Sequence, residues 1–143
     1  MTMWKVTIAP SENLAGAWHT FHMQNLVCIG WPRRQWDHND NVIRFQQINV
    51  GDWVVAHVPK IAGGDNCLAR GLGQITGPYH EITQIQIPQG DGWIGAFRRQ
   101  FPVKWTLADH SLRGILNPNQ FRKTVVQLSS VQEIEILRHY GII

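Results

Sequence analysis

The sequence predicts a single α+β domain, built on a curled, mostly antiparallel sheet of five to six strands with short flanking helices. Three observations predict it. Short apolar segments recur along the chain, and Gly, Pro, Asn and Asp residues punctuate them. Helical patterns are few and short. The 143 residues, 43% hydrophobic and 16% charged, suit one domain with its own core, here residues 1–143. A small, nearly closed barrel is the natural way to hide the edges of such a sheet.

Each element follows in order. Met3 to Ala9 alternates and starts the sheet. Pro10-Ser11-Glu12-Asn13 reads as a turn into a short helix, with Ser11 as its N-cap. Leu26 to Gly30 is either a short buried strand or a tight loop entry. Gly30 to Asp37 is polar, irregular and aromatic. Asn39 to Gln47 predicts a helix with a weak apolar face of Val42, Ile43 and Phe45. Gly51-Asp52 marks a turn. Trp53 to Val58 is the clearest strand, and Pro59 to Asn66 carries the Gly and Asp/Asn residues of a hairpin loop. Cys67 to Ile75 returns, with Leu68, Arg70, Leu72 and Gln74 on one face. Gly77-Pro78 turns it again. His80 to Ile87 and Phe97 to Leu107 are two further strands, joined by a loop that presents Trp93. Ser111 to Leu116 predicts one helical turn. Thr124 to Leu128 is a last strand, and Val131 to Leu137 is either strand or helix.

Composition excludes several classes. The net charge of +3 and the hydrophobic share exclude a disordered tail. No run approaches the ~20 apolar residues of a spanning helix, so no membrane partner is expected. Met1-Thr2-Met3-Trp4-Lys5 lacks the layout of a signal peptide. Cys28 and Cys67 lie far apart and form no CxxC, which argues against a disulfide scaffold or zinc module. A reduced, cytoplasmic protein is the expectation.

Catalytic signatures are missing. There is no GxxxxGK(S/T), no GxGxxG after a strand and no GxSxG. Gly71 and Gly73 fall inside a strand pattern and read as bulges or close backbone contacts. His19 and His22 have metal-binding spacing, but no third ligand sits near in sequence. Asp37 and Asp40 could pair as carboxylates, but an Asx-type cap before the helix at Asn39 is the simpler reading. No nucleophile has a base beside it. Neither an enzyme nor a cofactor is expected.

The positive signal is aromatic residues interleaved with basic ones. Trp31, Arg33, Arg34 and Trp36 share one irregular segment, and Phe97, Arg98 and Arg99 follow Trp93. Arg113, Arg122 and Lys123 add charge downstream. Cations displace the counterions around phosphates. Flat faces stack on exposed bases, at about 1–3 kcal/mol per base. Of the seven tryptophans, Trp4, Trp53 and Trp105 sit in strand patterns and read as core. Trp18 and Trp36 fit either role. Trp31 and Trp93 lie in Gly/Pro-flanked loops, where a ligand role is more natural.

An ordered series of segments carries a resemblance. It runs Cys28-Ile29-Gly30-Trp31 with Asp37 soon after, then Val50-Gly51-Asp52-Trp53-Val54-Val55. It continues through Ala69-Arg70-Gly71-Leu72-Gly73-Gln74-Ile75-Thr76-Gly77-Pro78-Tyr79 to Phe101-Pro102-Val103-Lys104-Trp105. The series resembles the EVE-like domains at the N-termini of modification-dependent restriction proteins, including Mcr-type AAA+ GTPase subunits. It also resembles the YTH readers of N6-methyladenine. Ser11-Glu12-Asn13 falls where YTH domains place a base-contacting Asn. Asn117-Pro118-Asn119 and Gln132-Glu133-Ile134 fall where they have similar residues.

The resemblance implies a PUA/EVE/YTH-like pseudobarrel that flips a methylated base of DNA into an aromatic cage. Trp31 is implied as the first cage wall and Trp93 as the second. Trp18-His19-Thr20 matches the YTH-like Trp-x-Thr equally, so Trp18 is the alternative first wall. Asn13 and Asp37 are implied at the base edge; the interleaved Arg33, Arg34, Arg98 and Arg99 are expected at the phosphates. N6-methyladenine is expected ahead of 5-methylcytosine. The implied partners are DNA carrying the methylated base and an AAA+ GTPase, other NTPase or nuclease module in the same chain or complex. Two other readings are an RNA-binding module without modification preference, and an interaction domain whose tryptophans are core or interface.

Overall fold

The first strand, β1 (Met3–Thr7), is paired on both sides by strands distant in sequence. The computed structural model describes residues 1–8, 14–29, 40–59, 65–81 and 99–143. In it β1 runs parallel to β3 (Trp53–His57) and antiparallel to β7 (Val125–Gln127). The sheet order is β2 (Leu26–Ile29), β6 (Arg99–Ser111), β4 (Leu68–Ile75), β3, β1, β7. A short β5 (His80–Glu81) pairs with the start of β6. Seven strands, mixed rather than wholly antiparallel, thus form a curled half-barrel among the described residues.

Both faces of the sheet are covered. Val54 and Ala56 of β3 point to one face, and Trp53 and Val55 to the other. That explains its unbroken apolar run. On the first face Trp4, Val6, Val54, Ile75, Phe101 and Val103 pack with Val42 and Phe45 of α2 (Asp40–Gln46). Beside them Ile8, Ala56 and Val58 pack with Trp18 and Phe21 of α1 (Leu14–Met23). On the second face Met3, Val55, Leu72 and Leu112 pack with Ile136 and Leu137 of α4 (Ser130–His139). Helix α2 covers the seam between the first and last parts of the sheet. Its Arg44 and Asn41 bond the backbone of Val125 in β7, and its Phe45 ring lies 5.0 Å from Phe101 in β6.

Several boundaries differ from the sequence reading. Val131 to Leu137 is helical because Ser129 and Gln132 form a reciprocal capping box at the start of α4. An unexpected short helix, α3 (Pro118–Arg122), begins with a second box between Asn117 and Gln120. The two box glutamines bond each other, with Gln132 Nε2 2.7 Å from Gln120 Oε1. Strand β6 runs on to Ser111, and Leu112 to Leu116 makes one tight turn after it. Leu68, Arg70, Leu72 and Gln74 do not share one clean face, because the β4 register shifts against both neighbours near Gly71. No helix among the described residues is long and apolar enough to cross a membrane.

Buried polar groups brace this frame. Asp52 accepts from the backbone of Thr2 and Asn49 and from the Trp4 indole N–H at 3.1 Å. Lys5 is fully buried, and its ammonium bonds Thr7 Oγ1 at 2.8 Å and the Lys123 carbonyl.

Candidate nucleic-acid interface

Strands β2, β5 and β6 meet at one corner of the sheet. Arg99 is the register partner of Ile29 on one side and of Glu81 on the other. The segment 30–39, with Trp31, Arg33, Arg34, Trp36 and Asp37, leaves the sheet after Ile29. The segment 82–98, with Trp93 and Arg98, leaves after Glu81 and returns at Arg99. These named residues, and Asn13, lie outside the described residues. Ile29, Glu81 and Arg99, at which the two segments leave or rejoin the sheet, adjoin.

An aromatic cluster of the core reaches this corner. Tyr79 stands edge-on to Phe101 at 5.6 Å and to Phe45 at 6.3 Å. Edge-to-face packing of this kind fixes ring orientation as well as burying area. The Tyr79 hydroxyl donates to Glu81 Oε1 at 2.7 Å and accepts from Arg99 Nη1 at 3.0 Å. Arg99 Nη1 also lies 3.2 Å from Glu81 Oε1. Burial, and then the bond to Glu81, push the Tyr79 hydroxyl above its ordinary value, so it stays a donor. Gln46 of α2 and the Arg99 charge work the other way, more weakly. Arg99, expected at the phosphates, is instead turned into this cluster, with a side chain 8% exposed.

Trp18 occupies a second aromatic cluster. It is 8% exposed, and its ring centroid lies 5.0 Å from that of Trp105 at an 81° tilt. Its six-membered ring covers Gly71, where an added Cβ would come within 2.8 Å. The Trp105 indole N–H donates to the Leu26 carbonyl at 3.1 Å. The close-contact reading of Gly71 and Gly73 therefore holds: two tryptophan rings need the space. Trp4 is core, while Trp53 and Trp105 are partly buried against it. His19 and His22 meet edge to face at 5.1 Å on α1. Among the described residues, no three metal-ligating side chains cluster.

Sequence reasoning missed Tyr79, Glu81 and Gln46. The signal for the first two was modest: an aromatic just after Gly77-Pro78 and an acid two residues on, at same-face strand spacing.

No family model and no curated protein matches the sequence. Solved structures do match. The YTH domain of the Zygosaccharomyces rouxii MRB1 protein, solved in complex with N6-methyladenosine RNA, is 14% identical with a TM-score of 0.57. The match covers 97% of this chain and 86% of that one. The Mmi1 YTH domain is 10% identical with a TM-score of 0.54, over 99% of this chain and 90% of that one. The fold is YTH-like. Rpa0253 from Rhodopseudomonas palustris is also similar in structure to this chain, at 11% identity and a TM-score of 0.59, over 100% and 95% of the two chains. At such identities the likeness is one of fold. The expected curled α+β architecture is therefore borne out.

Proposed function

We propose that this chain is a non-catalytic reader of a methylated base in nucleic acid. One observation carries the reading. Both aromatic, basic segments join the described chain at the Ile29–Arg99–Glu81 corner of a YTH-like sheet, where Tyr79 packs on the core rings of Phe101 and Phe45. Extracting a base costs a few kcal/mol. Stacking between two aromatic walls and bonds to the base edge offset that cost. A methyl group is small and apolar, so a dry aromatic site favours it by about 1–3 kcal/mol.

In this reading Trp31 and Trp93 are the walls, with Trp18 the alternative to Trp31. Asn13 and Asp37 contact the base edge. Arg33, Arg34 and Arg98 meet phosphates, while Arg99 braces the corner beneath them. The target is N6-methyladenine in DNA ahead of 5-methylcytosine, and the reader directs a restriction complex whose AAA+ GTPase or nuclease module supplies the work. A second reading takes RNA as the ligand. It is favoured by the Zygosaccharomyces rouxii YTH domain having been solved with N6-methyladenosine RNA.

The test is binding to matched DNA and RNA oligonucleotides with and without N6-methyladenine. Methylated DNA is expected to bind at least tenfold more tightly than unmodified DNA, and Trp31→Ala to remove that preference. Tighter binding of methylated RNA replaces the first reading with the second. Equal affinity for methylated and unmodified strands of both kinds overturns both. A preference that survives Trp31→Ala and fails in Trp18→Ala moves the wall to Trp18.

A further inference from the structure

The fold sorts its cations by their partners. Arg70 faces Asp109, Arg99 faces Glu81 and Arg113 faces Asp65. Four other cations lie on or against the stretch where α3 ends and β7 begins. No acid among the described residues lies within ion-pair distance of any of them. Arg122 closes α3 and Lys123 follows it, and both are exposed. The Lys123 carbonyl accepts from the buried Lys5 amine. Arg44 donates its Nε–H to the carbonyl of Val125, two residues further on.

We infer that the junction of α3 and β7, with Arg122 and Lys123 as its outward cations, is a contact surface for the phosphates of a single nucleic-acid strand. The inference rests on the nucleic-acid reading above for the kind of partner. The surface lies at β7, the opposite end of the strand order from β2. Its residues are separate from the arginines assigned to phosphates in that reading.

Charge is the first argument. Cations without acids beside them keep their field for an anion from outside, and they repel one another. That repulsion is visible at Lys5, whose amine is lowered from 10.5 to about 7 by burial and then by the Arg44 charge. Asp40, in the first turn of α2, pairs with none of the four. A phosphate arriving at the junction relieves the repulsion and displaces no internal ion pair. Rigidity is the second argument. The Asn117–Gln120 capping box starts α3, and the Lys123 N–H donates to the Asn119 carbonyl. The Phe121 ring meets His57 at 5.3 Å. On the far side, the Thr7 N–H donates to the Thr124 carbonyl at 2.7 Å. The backbone beneath Arg122 and Lys123 is thus pinned on both sides, while their side chains reach water. Phosphate contacts position a strand and carry no base information. This surface therefore strengthens binding of any strand and leaves the recognition of a methyl group untouched.

The experiment measures binding of single-stranded DNA, with and without N6-methyladenine, to the full chain at several salt concentrations. Each phosphate contact to a single strand contributes about 0.7 to the slope of log affinity against log salt. The double variant Arg122→Ala, Lys123→Ala is expected to lower that slope by about 1.4, and each single variant by about half as much. The ratio of methylated to unmodified affinity is expected to stay at the wild-type value. Lys104→Ala removes one exposed positive charge from β6, with β4, β3 and β1 between it and β7. Its slope is expected to equal that of wild type. A double variant with the wild-type slope overturns the surface. So does a fall in Lys104→Ala as large as that of either single variant, because it marks an effect of net charge alone. A wild-type chain that binds both strands equally, with the expected slopes, overturns the methyl preference and upholds the surface. A wild-type chain that binds neither strand at low salt overturns both. Lys5 bonds the backbone of residue 123, so Lys123→Ala keeps that contact. Thermal unfolding is followed alongside, and if the double variant fails to fold, Arg122→Gln and Lys123→Gln decide singly on the same criterion.

Discussion

Asn41 accepts the backbone N–H of Val125 at 3.0 Å, from a helix to the outer edge of a strand. Arg44, one turn further along α2, donates its Nε–H to the carbonyl of the same residue. Arg44 Nη2 also donates to Asn41 Oδ1 at 2.7 Å, which holds the pair together. Two side chains thus do what a further strand would do, and β7 presents no open ladder edge there. Val125 is fully buried, so its N–H has no water to fall back on. Asn41→Ala is expected to cost about 1–3 kcal/mol in urea unfolding, and Asn41→Asp, which keeps the acceptor, less. A loss below about 0.5 kcal/mol for Asn41→Ala would contradict this account.

Lys5 makes stability depend on pH. Burial, and then the charge of Arg44, pull its amine from the ordinary 10.5 down to about 7. Between those values the unfolded chain binds a proton that the folded chain does not. Stability therefore rises with pH across that window, and is lost as pH falls towards 7. His57 adds a loss of the same sign below its ordinary 6.5, because burial lowers it too. Its Nε2 lies 2.5 Å from the Asn66 carbonyl, so Nε2 carries the hydrogen and Nδ1 accepts from Thr7. Cys28, raised by burial, works the opposite way above its ordinary 9.0. The informative range is therefore about pH 7 to 9. The urea midpoint of wild type is expected to rise across it, and that of Lys5→Met to stay flatter. Parallel curves would refute the assignment to Lys5.

Gly71 and Gly73 leave room for rings. A Cβ at position 73 would collide with Val103 Cγ1 and come within 2.8 Å of the Trp105 ring. At position 71 the nearest atom is the Trp18 ring at 2.8 Å. Val103 is β-branched and stiff, so it cannot turn aside cheaply. Gly73→Ala is expected to destabilise by about 1–3 kcal/mol and Gly71→Ala by less. Chemical denaturation followed by tryptophan fluorescence ranks them, and the reverse order would show that the Trp105 side is the softer one.

Salt separates the arginines. Each phosphate contact contributes about 0.7–0.9 to the slope of log affinity against log salt. Arg33→Ala and Arg34→Ala are each expected to reduce that slope by roughly this amount. Arg99→Lys is expected to leave the slope unchanged, because its guanidinium already faces Glu81 and Tyr79. Titration at several salt concentrations checks this, and a slope that falls only with Arg99→Lys would reverse the assignment.

Local pattern made the strands around Trp4, Val54 and Phe101, and the helix at Val42 and Phe45, legible in advance. The capping boxes of Asn117 and Ser129 were also readable signals and went unused. Three features were not legible, for a common reason. The parallel pairing of β1 with β3, the burial of Lys5 and the inward turn of Arg99 all depend on partners far along the chain. A lysine in an alternating strand reads as the wet side until a second layer is known to cover it. At the site, the residues 30–39 were readable as aromatic and basic. That Ile29, Glu81 and Arg99 would lie side by side was not, since strand order is a tertiary fact.

The pairing of β1 has a kinetic consequence. Lys5 and its carbonyl partner at Lys123 are 118 residues apart. A ribosome adds about 5–20 residues per second, so β1 waits on the order of ten seconds for β7 to emerge. During that wait its apolar residues lack their final cover. The amine of Lys5, still in water, carries its charge, and a charged lysine on an unpaired strand discourages mispairing with another chain. Once β7 closes over it, burial brings the same amine down to about 7. Lys5 thus guards the nascent strand while charged, and in the finished fold it holds that charge less firmly.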